Sequence, residues 1–251
     1  MRIALALSLV GVALFGGVAL AVDETGSEGE IAREYEQHAS RDCTIYLYPT
    51  DGMNEVPRVS SLGYSVTVGG DLSFGNISQY DVLWLVFTGS GMIGGFQSDI
   101  ELFVSNGGGL YIHQPSVLGT IDYAPSGFEF TVEDIFWCDP EEDNVIVTPG
   151  HPTMAGLIPA DLSGRYDTVF TSSLGSGYTL LAEGTGACDD HVQSAAGTFG
   201  GGRVFTDFGN NSGSAAPGSD LYLTNLFDWL CMGGSTPTES TTWGTIKGLF
   251  R

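Results

Sequence analysis

Two uninterrupted apolar runs constrain this chain more than any other feature. Asp81 to Phe87 reads DVLWLVF, and Leu110 to His113, following three consecutive glycines from Gly107, reads LYIH. A strand with one wet face alternates apolar and polar residues. An unbroken apolar run instead needs cover on both faces, as in a parallel sheet between helices. Between the two runs Phe96, Ile100, Phe103 and Val104 recur at helical spacing, and Asn106-Gly107 supplies the stop. Strand, helix, strand is the unit of open α/β sheets, whose ligand sites form beyond the carboxyl ends of the strands. His113 occupies that position.

The pattern extends in both directions. Thr44 to Tyr48, ended by Pro49, reads as a first buried strand. Asn54 to Leu62 predicts a short helix with Pro57 near its first turn and Gly63 placed to end it. Tyr64 to Val68 alternates like a strand. The resulting order predicts a mostly parallel sheet with helices on both faces. Residues 115–143 are irregular, and Phe128 to Phe136 suits a hairpin or an edge strand. Further strands are expected at Asn144 to Thr148, Thr168 to Thr171, Thr179 to Ala182 and Arg203 to Phe208, the last ended by Gly209. Asp220 to Leu230 places Leu223, Phe227 and Leu230 on one helical face, which should pack on the sheet.

The ends differ from this body. Residues 1–21 read as a secretory signal, with Arg2 as the basic start, an apolar stretch and Ala19-Leu20-Ala21 as the cleavage site. Once this leader is removed, no retained membrane segment is expected. Residues 22–42 form a polar linker, 43–232 the α/β domain, and 233–251 a Ser/Thr-rich linker with an apolar tail. The chain carries 30 acidic against 8 basic residues, a formal net charge of -22. Such a surface repels phosphate backbones, so nucleic acid is excluded as a partner. The remaining partners are a small molecule, a glycan or a protein. Four cysteines in an exported chain favour disulfides, with three possible connectivities, of which Cys138–Cys188 with Cys43–Cys231 is the favoured one. A zinc site on Cys188-x-x-His191 lacks matching ligand pairs.

Three segments resemble a known group. SLGYSVTV, ISQYDVLWLVF and VSNGGGLYIHQP resemble the first half of class I glutamine-amidotransferase-like domains. HPTMAGL, from His151 to Leu157, resembles a segment of the ThuA-like, trehalose-utilisation branch. GTFGGGRVFTDFGN with LTNLFDWL resembles the closing strand and helix of the same group. The resemblance implies a flavodoxin-like three-layer sandwich over 43–232, with an irregular β-rich insertion. In the amidotransferases a nucleophilic cysteine stands at the strand end where this chain has His113. Glutaminase chemistry needs a thiolate or an equivalent nucleophile beside a base, and neither is in place. The ending TTWGTIKGLFR resembles the tails of secreted bacterial proteins.

His113 is therefore the candidate catalytic group, since an imidazole can act as acid, base or ligand near neutral pH. Asp122, Glu129 and His151 are the available partners. Thr88, Gly89, Ser90, Gln114 and Ser116 are the candidate ligand-binding residues around it. Asp139, Glu141, Glu142 and Asp143 form an acidic cluster of the kind a hard cation such as calcium requires, but the sequence does not fit a calcium-binding loop, and a solvated acidic loop is the favoured reading. No other cofactor is expected. Trp137 could line a sugar- or peptide-binding face. The glycines from Gly89 to Gly95 lack the Lys-Ser/Thr of a phosphate loop. The expected function is a non-catalytic binding domain at the cell surface, with carbohydrate as one ligand class. The alternatives are a hydrolase or sugar-modifying enzyme using His113, and a structural surface component.

Overall fold

The computed structural model describes residues 42–49, 55–113, 115, 117–134, 144–162, 168–209 and 218–232. The first strand, β1 (Thr44–Tyr48), has its three central residues buried. Helix α1 (Glu55–Ser61) follows, and Gly63 adopts the left-handed conformation (φ +99°) that ends it. Next come β2 (Ser65–Val68) and the single turn α2 (Phe74–Ile77). Strand β3 (Val82–Val86) is buried at every position, as its apolar run requires. The chain then forms α3 (Ser90–Ile93), a 3-10 turn and α4 (Gln97–Ser105). Helix α4 buries Ile100, Phe103 and Val104, three of the four residues at helical spacing. Strand β4 (Gly109–His113) is again wholly buried.

These strands, with β10 (Gly202–Asp207), pair in parallel in the order β2-β1-β3-β4-β10. Three antiparallel strands extend that edge: β9 (Val192–Phe199), β8 (Thr179–Gly184) and β7 (Asn144–Ile146). The result is a mostly parallel eight-stranded sheet covered on both faces, the flavodoxin-like sandwich. On one face α1 and α5 (Ser219–Cys231) pack Val59, Leu223, Leu226 and Phe227 against Trp84, Tyr111 and Phe205. On the other, Ile77, Ile93, Ile100, Phe103 and Val104 cover Leu83, Leu85, Leu110 and Ile112.

The glycines before His113 have packing reasons. Gly107 takes φ +108°, and its N–H reaches the Val104 carbonyl to close α4. A Cβ on Gly109 would stand 2.9 Å from the Leu230 carbonyl oxygen, so α5 rests directly on the β4 backbone. The far end of α5 is tied down by the Cys43–Cys231 disulfide, joining the residue before β1 to the last residue of the helix.

One expected strand is absent, and one strand is added. Thr168 to Thr171 is not a strand. Only isolated bridges occur there, Asp134 to Thr168 and Phe170 to His191, before a 3-10 turn at Thr171–Ser173. Strand β9 was not anticipated, because VQSAAGTF is too small and polar to read as buried, yet Gln193, Ser194, Ala195 and Ala196 are all inside. Phe128 to Phe136 contributes β6 (Phe130–Val132), which pairs antiparallel with β5 (Gly119–Ile121) as a separate hairpin. Phe128 and Phe130 pin this hairpin to the sheet through edge contacts with Tyr178 (4.9 Å) and Phe208 (5.1 Å).

Candidate functional site

His113 closes β4 at the carboxyl edge of the sheet. Its register partners are Val86 on β3 and Asp207 on β10. The ring lies on the α5 face, stacked with Tyr111 (5.2 Å between centroids, 12° between planes) and more loosely with Trp84 (6.1 Å, 29°). Its relative exposure is 0%. Removal from water disfavours the imidazolium and pushes the imidazole pKa down to about 3, with a hydrogen bond to the Gly209 backbone acting weakly in the other direction. The His113 carbonyl accepts from the Phe87 N–H (3.1 Å), locking the strand ends together.

The acid beside this histidine is one that sequence reasoning did not single out. Asp207 ends β10 and is fully buried. Its Oδ2 accepts from the Tyr222 hydroxyl of α5 (2.6 Å) and from the Tyr111 hydroxyl (3.3 Å), and its Oδ1 from the Gly209 N–H (2.7 Å). Gly209 therefore links the two neighbouring strand ends, bonding both His113 and Asp207. A partial signal was available: Asp207 is a carboxylate at the end of an apolar run, two residues before Gly209, but its pairing beside β4 is a property of the packed sheet.

The three residues expected to partner His113 are engaged elsewhere. Glu129 Oε2 accepts from the Gly127 N–H (2.9 Å). Asp122 is exposed, with its backbone held by Ser90 and Gln97. His151 sets up the 3-10 turn Pro152–Met154: Nδ1 shares a 2.8 Å hydrogen bond with the Thr153 hydroxyl, and the ring packs edge-on against Trp229 (4.9 Å). Burial and the nearby Arg203 guanidinium hold the His151 imidazole below its ordinary value.

Of the candidate ligand-binding residues, Thr88 and Gly89 are buried and Ser90 is half-buried. The Thr88 hydroxyl and the Tyr123 phenol share a 2.8 Å hydrogen bond, and the phenol also donates to the Thr88 carbonyl (3.0 Å). Ser90 Oγ donates to the Thr120 carbonyl (2.9 Å) and accepts from the Asp122 N–H (3.2 Å). A Cβ on Gly89 would meet Val117 at 2.8 Å. All three residues thus hold the β5–β6 hairpin onto the strand ends. Gln114, Ser116, Trp137, Cys138 and the acidic cluster Asp139, Glu141, Glu142, Asp143 lie outside the described residues. Cys188 is disulfide-bonded and so offers no thiolate to a metal. Among the described residues no group of three or more His, Cys, Asp or Glu side chains could hold a metal ion.

Among the described residues, exposed apolar side chains stand near this edge, while His113 and Asp207 are buried. Phe87 follows β3 in the left-handed region (φ +50°) and is 41% exposed. Met92, Val117 and Leu118 are exposed nearby in sequence. A bulky residue held at positive φ is a strained exception, and such strain concentrates at functional positions.

No protein-family model matches the sequence, and no curated protein matches it. Solved structures do. A cytoplasmic protein from Salmonella typhimurium superposes with a TM-score of 0.55 at 12% identity, covering 75% of this chain and 98% of that one. A ThuA-like protein from Bacteroides uniformis gives 0.54 at 12% identity, over 76% and 91%. The fold is ThuA-like. A β-galactosidase from Rahnella gives 0.52 at 13% identity, over 76% of this chain and 31% of that one, so the ThuA-like fold matches one part of that larger enzyme. At these identities the likeness is one of fold, and function rests on the site.

Proposed function

We propose that the chain is an exported, non-catalytic ThuA-like domain that binds carbohydrate at the rim around Phe87. The observation that carries this reading is the sealing of His113. A general acid or base must come within hydrogen-bond reach of the proton it moves. His113 is inside the protein, held neutral, and roofed by Tyr111 and Trp84. Asp207, the adjacent carboxylate, already serves two phenols and a backbone N–H. The flanking Thr88 and Ser90 spend their hydroxyls within the chain. Among the described residues Phe87 presents an exposed aromatic ring at this strand end, on a backbone held in the left-handed region, and such a ring suits stacking on the apolar face of a sugar. The occurrence of this fold within a β-galactosidase supports the choice of carbohydrate. Export is supported by the Cys43–Cys231 disulfide, since such bonds persist in oxidising compartments.

The test pairs a glycan array, with affinities of any ligand measured by calorimetry, against a turnover screen on glycosides and glutamine. The expected result is binding that Phe87→Ala removes, with no turnover. Turnover abolished by His113→Gln in a folded protein would overturn the proposal in favour of an enzyme. The register pairing of His113 with Asp207 is the one observation that favours this second reading.

A further inference from the structure

The opposite face of the sheet carries an unexplained polar group. On β10, Val204, Thr206 and Phe208 follow one another at strand spacing, and Val204 and Phe208 belong to the core under α4. Thr206 therefore points into that core, opposite Ala195 of β9. Gln193 lies two residues from Ala195 and accepts the Phe208 N–H on its carbonyl (3.0 Å), so its side chain is a diagonal neighbour of Thr206 on the same face. Tyr178 enters from the turn before β8, its ring between Phe128 (4.9 Å) and Phe130 (6.3 Å). Burial pushes its phenol well above the ordinary value, while the Thr206 hydroxyl beside it acts in the other direction. Both amide atoms of Gln193, the Thr206 hydroxyl and the Tyr178 hydroxyl are shut off from solvent, and apart from the approach of the Thr206 and Tyr178 hydroxyls to each other none has a hydrogen-bond partner among the described residues. Folded proteins satisfy nearly all such atoms, because an orphaned buried donor or acceptor bears its whole desolvation cost.

We propose that Gln193, Thr206 and Tyr178 form a sealed chamber that binds small neutral hydroxylic molecules, either ordered water or a polyol. The chemistry of the three side chains sets the class. An amide and two hydroxyls offer donors and acceptors together, and none of the three is charged. A hydroxyl oxygen, which both donates and accepts, completes such a set, whereas an ion would satisfy only half of it. The nearby Tyr123 phenol is already committed to Thr88, so it does not compete for the occupant. The four polar atoms are shut off from solvent, so exchange of an occupant with bulk solvent is slow. The chamber lies across the sheet from His113, so its failure and the failure of the carbohydrate-binding reading are separate results.

Crystals of the full chain grown without polyol test this directly. The expected result is an ordered oxygen within hydrogen-bond distance of at least two of the three side chains. A second crystal soaked in glycerol separates the sources. Glycerol density in place of the oxygen identifies a polyol site, an unchanged oxygen identifies sealed water, and either supports the chamber. A Gln193 amide bonded to Thr206, to Tyr178 or to backbone, with no occupant, would overturn it. In solution, the Gln193 side-chain amide protons should show a nuclear Overhauser effect to a long-lived water or polyol hydroxyl, and Thr206→Val should abolish it. If that variant does not fold, the wild-type signal decides alone, and its absence refutes the proposal.

Discussion

The neutrality of His113 can be measured through the pH dependence of stability. Its imidazole titrates near 6.5 in the unfolded chain and is pushed down to about 3 in the fold, because the buried ring cannot carry charge. Between those values the unfolded chain binds a proton that the native state refuses. Stability from this group is therefore complete above the unfolded value and is lost as pH falls toward the folded one. Each pH unit well inside that window is worth about 1.4 kcal/mol. Lowering the pH from about 7.5 to about 5 should accordingly remove about 2 kcal/mol. Other groups titrate over the same range, His151 among them, so the quantity to read is a difference. Urea unfolding of the wild type and of His113→Gln, followed at both pH values, isolates it: the wild type should lose about 2 kcal/mol more than the variant. The imidazole resonances of His113 should also stay unshifted over this range. Equal losses in the two proteins, or a ring that titrates near 6.5, would show His113 to be solvated and would remove the basis for a non-catalytic site.

Two further outcomes follow from the packing. Gly109→Ala would drive a methyl group to within 2.9 Å of the Leu230 carbonyl and 3.0 Å of its Cβ. Helix α5 must then lift off β4, a loss of about 1–3 kcal/mol in denaturant unfolding, and an unchanged midpoint would show that α5 does not rest there. Replacing Cys43 and Cys231 together by serine opens a loop closed across a sequence separation of 188 residues. The chain-entropy treatment of a loop that long gives about 5 kcal/mol, so a loss under about 1 kcal/mol would mean that the bridge does not constrain the unfolded chain.

Most of the parallel half of the sheet was legible because its central strands β1, β3 and β4 are short, largely buried apolar runs punctuated by a glycine or proline, while the edge strand β2 showed itself by alternation. The runs at Thr44, Asp81 and Leu110 mark β1, β3 and β4, and Gly63 and Gly107 end the helices between them. The Cys43–Cys231 bridge was the favoured pairing among three possible connectivities, and the structure contains it. The antiparallel extension was harder to read. Strand β9 is buried by its neighbours' bulk rather than by its own, so Gln193 and Ser194 sit inside without any local pattern announcing it.

The same division runs through the candidate site. The sequence by itself determined that a histidine ends a buried strand at the edge where ligands bind in this architecture, because strand length and glycine stops are local properties. Only the tertiary structure decided that Asp207, from a strand almost a hundred residues later, stands beside it, and that Tyr111, Trp84 and Tyr222 close over both. Strand pairing between distant segments and the burial it produces depend on the whole packed sheet. A charge or an imidazole acquires its chemistry from that burial, which no stretch of sequence contains.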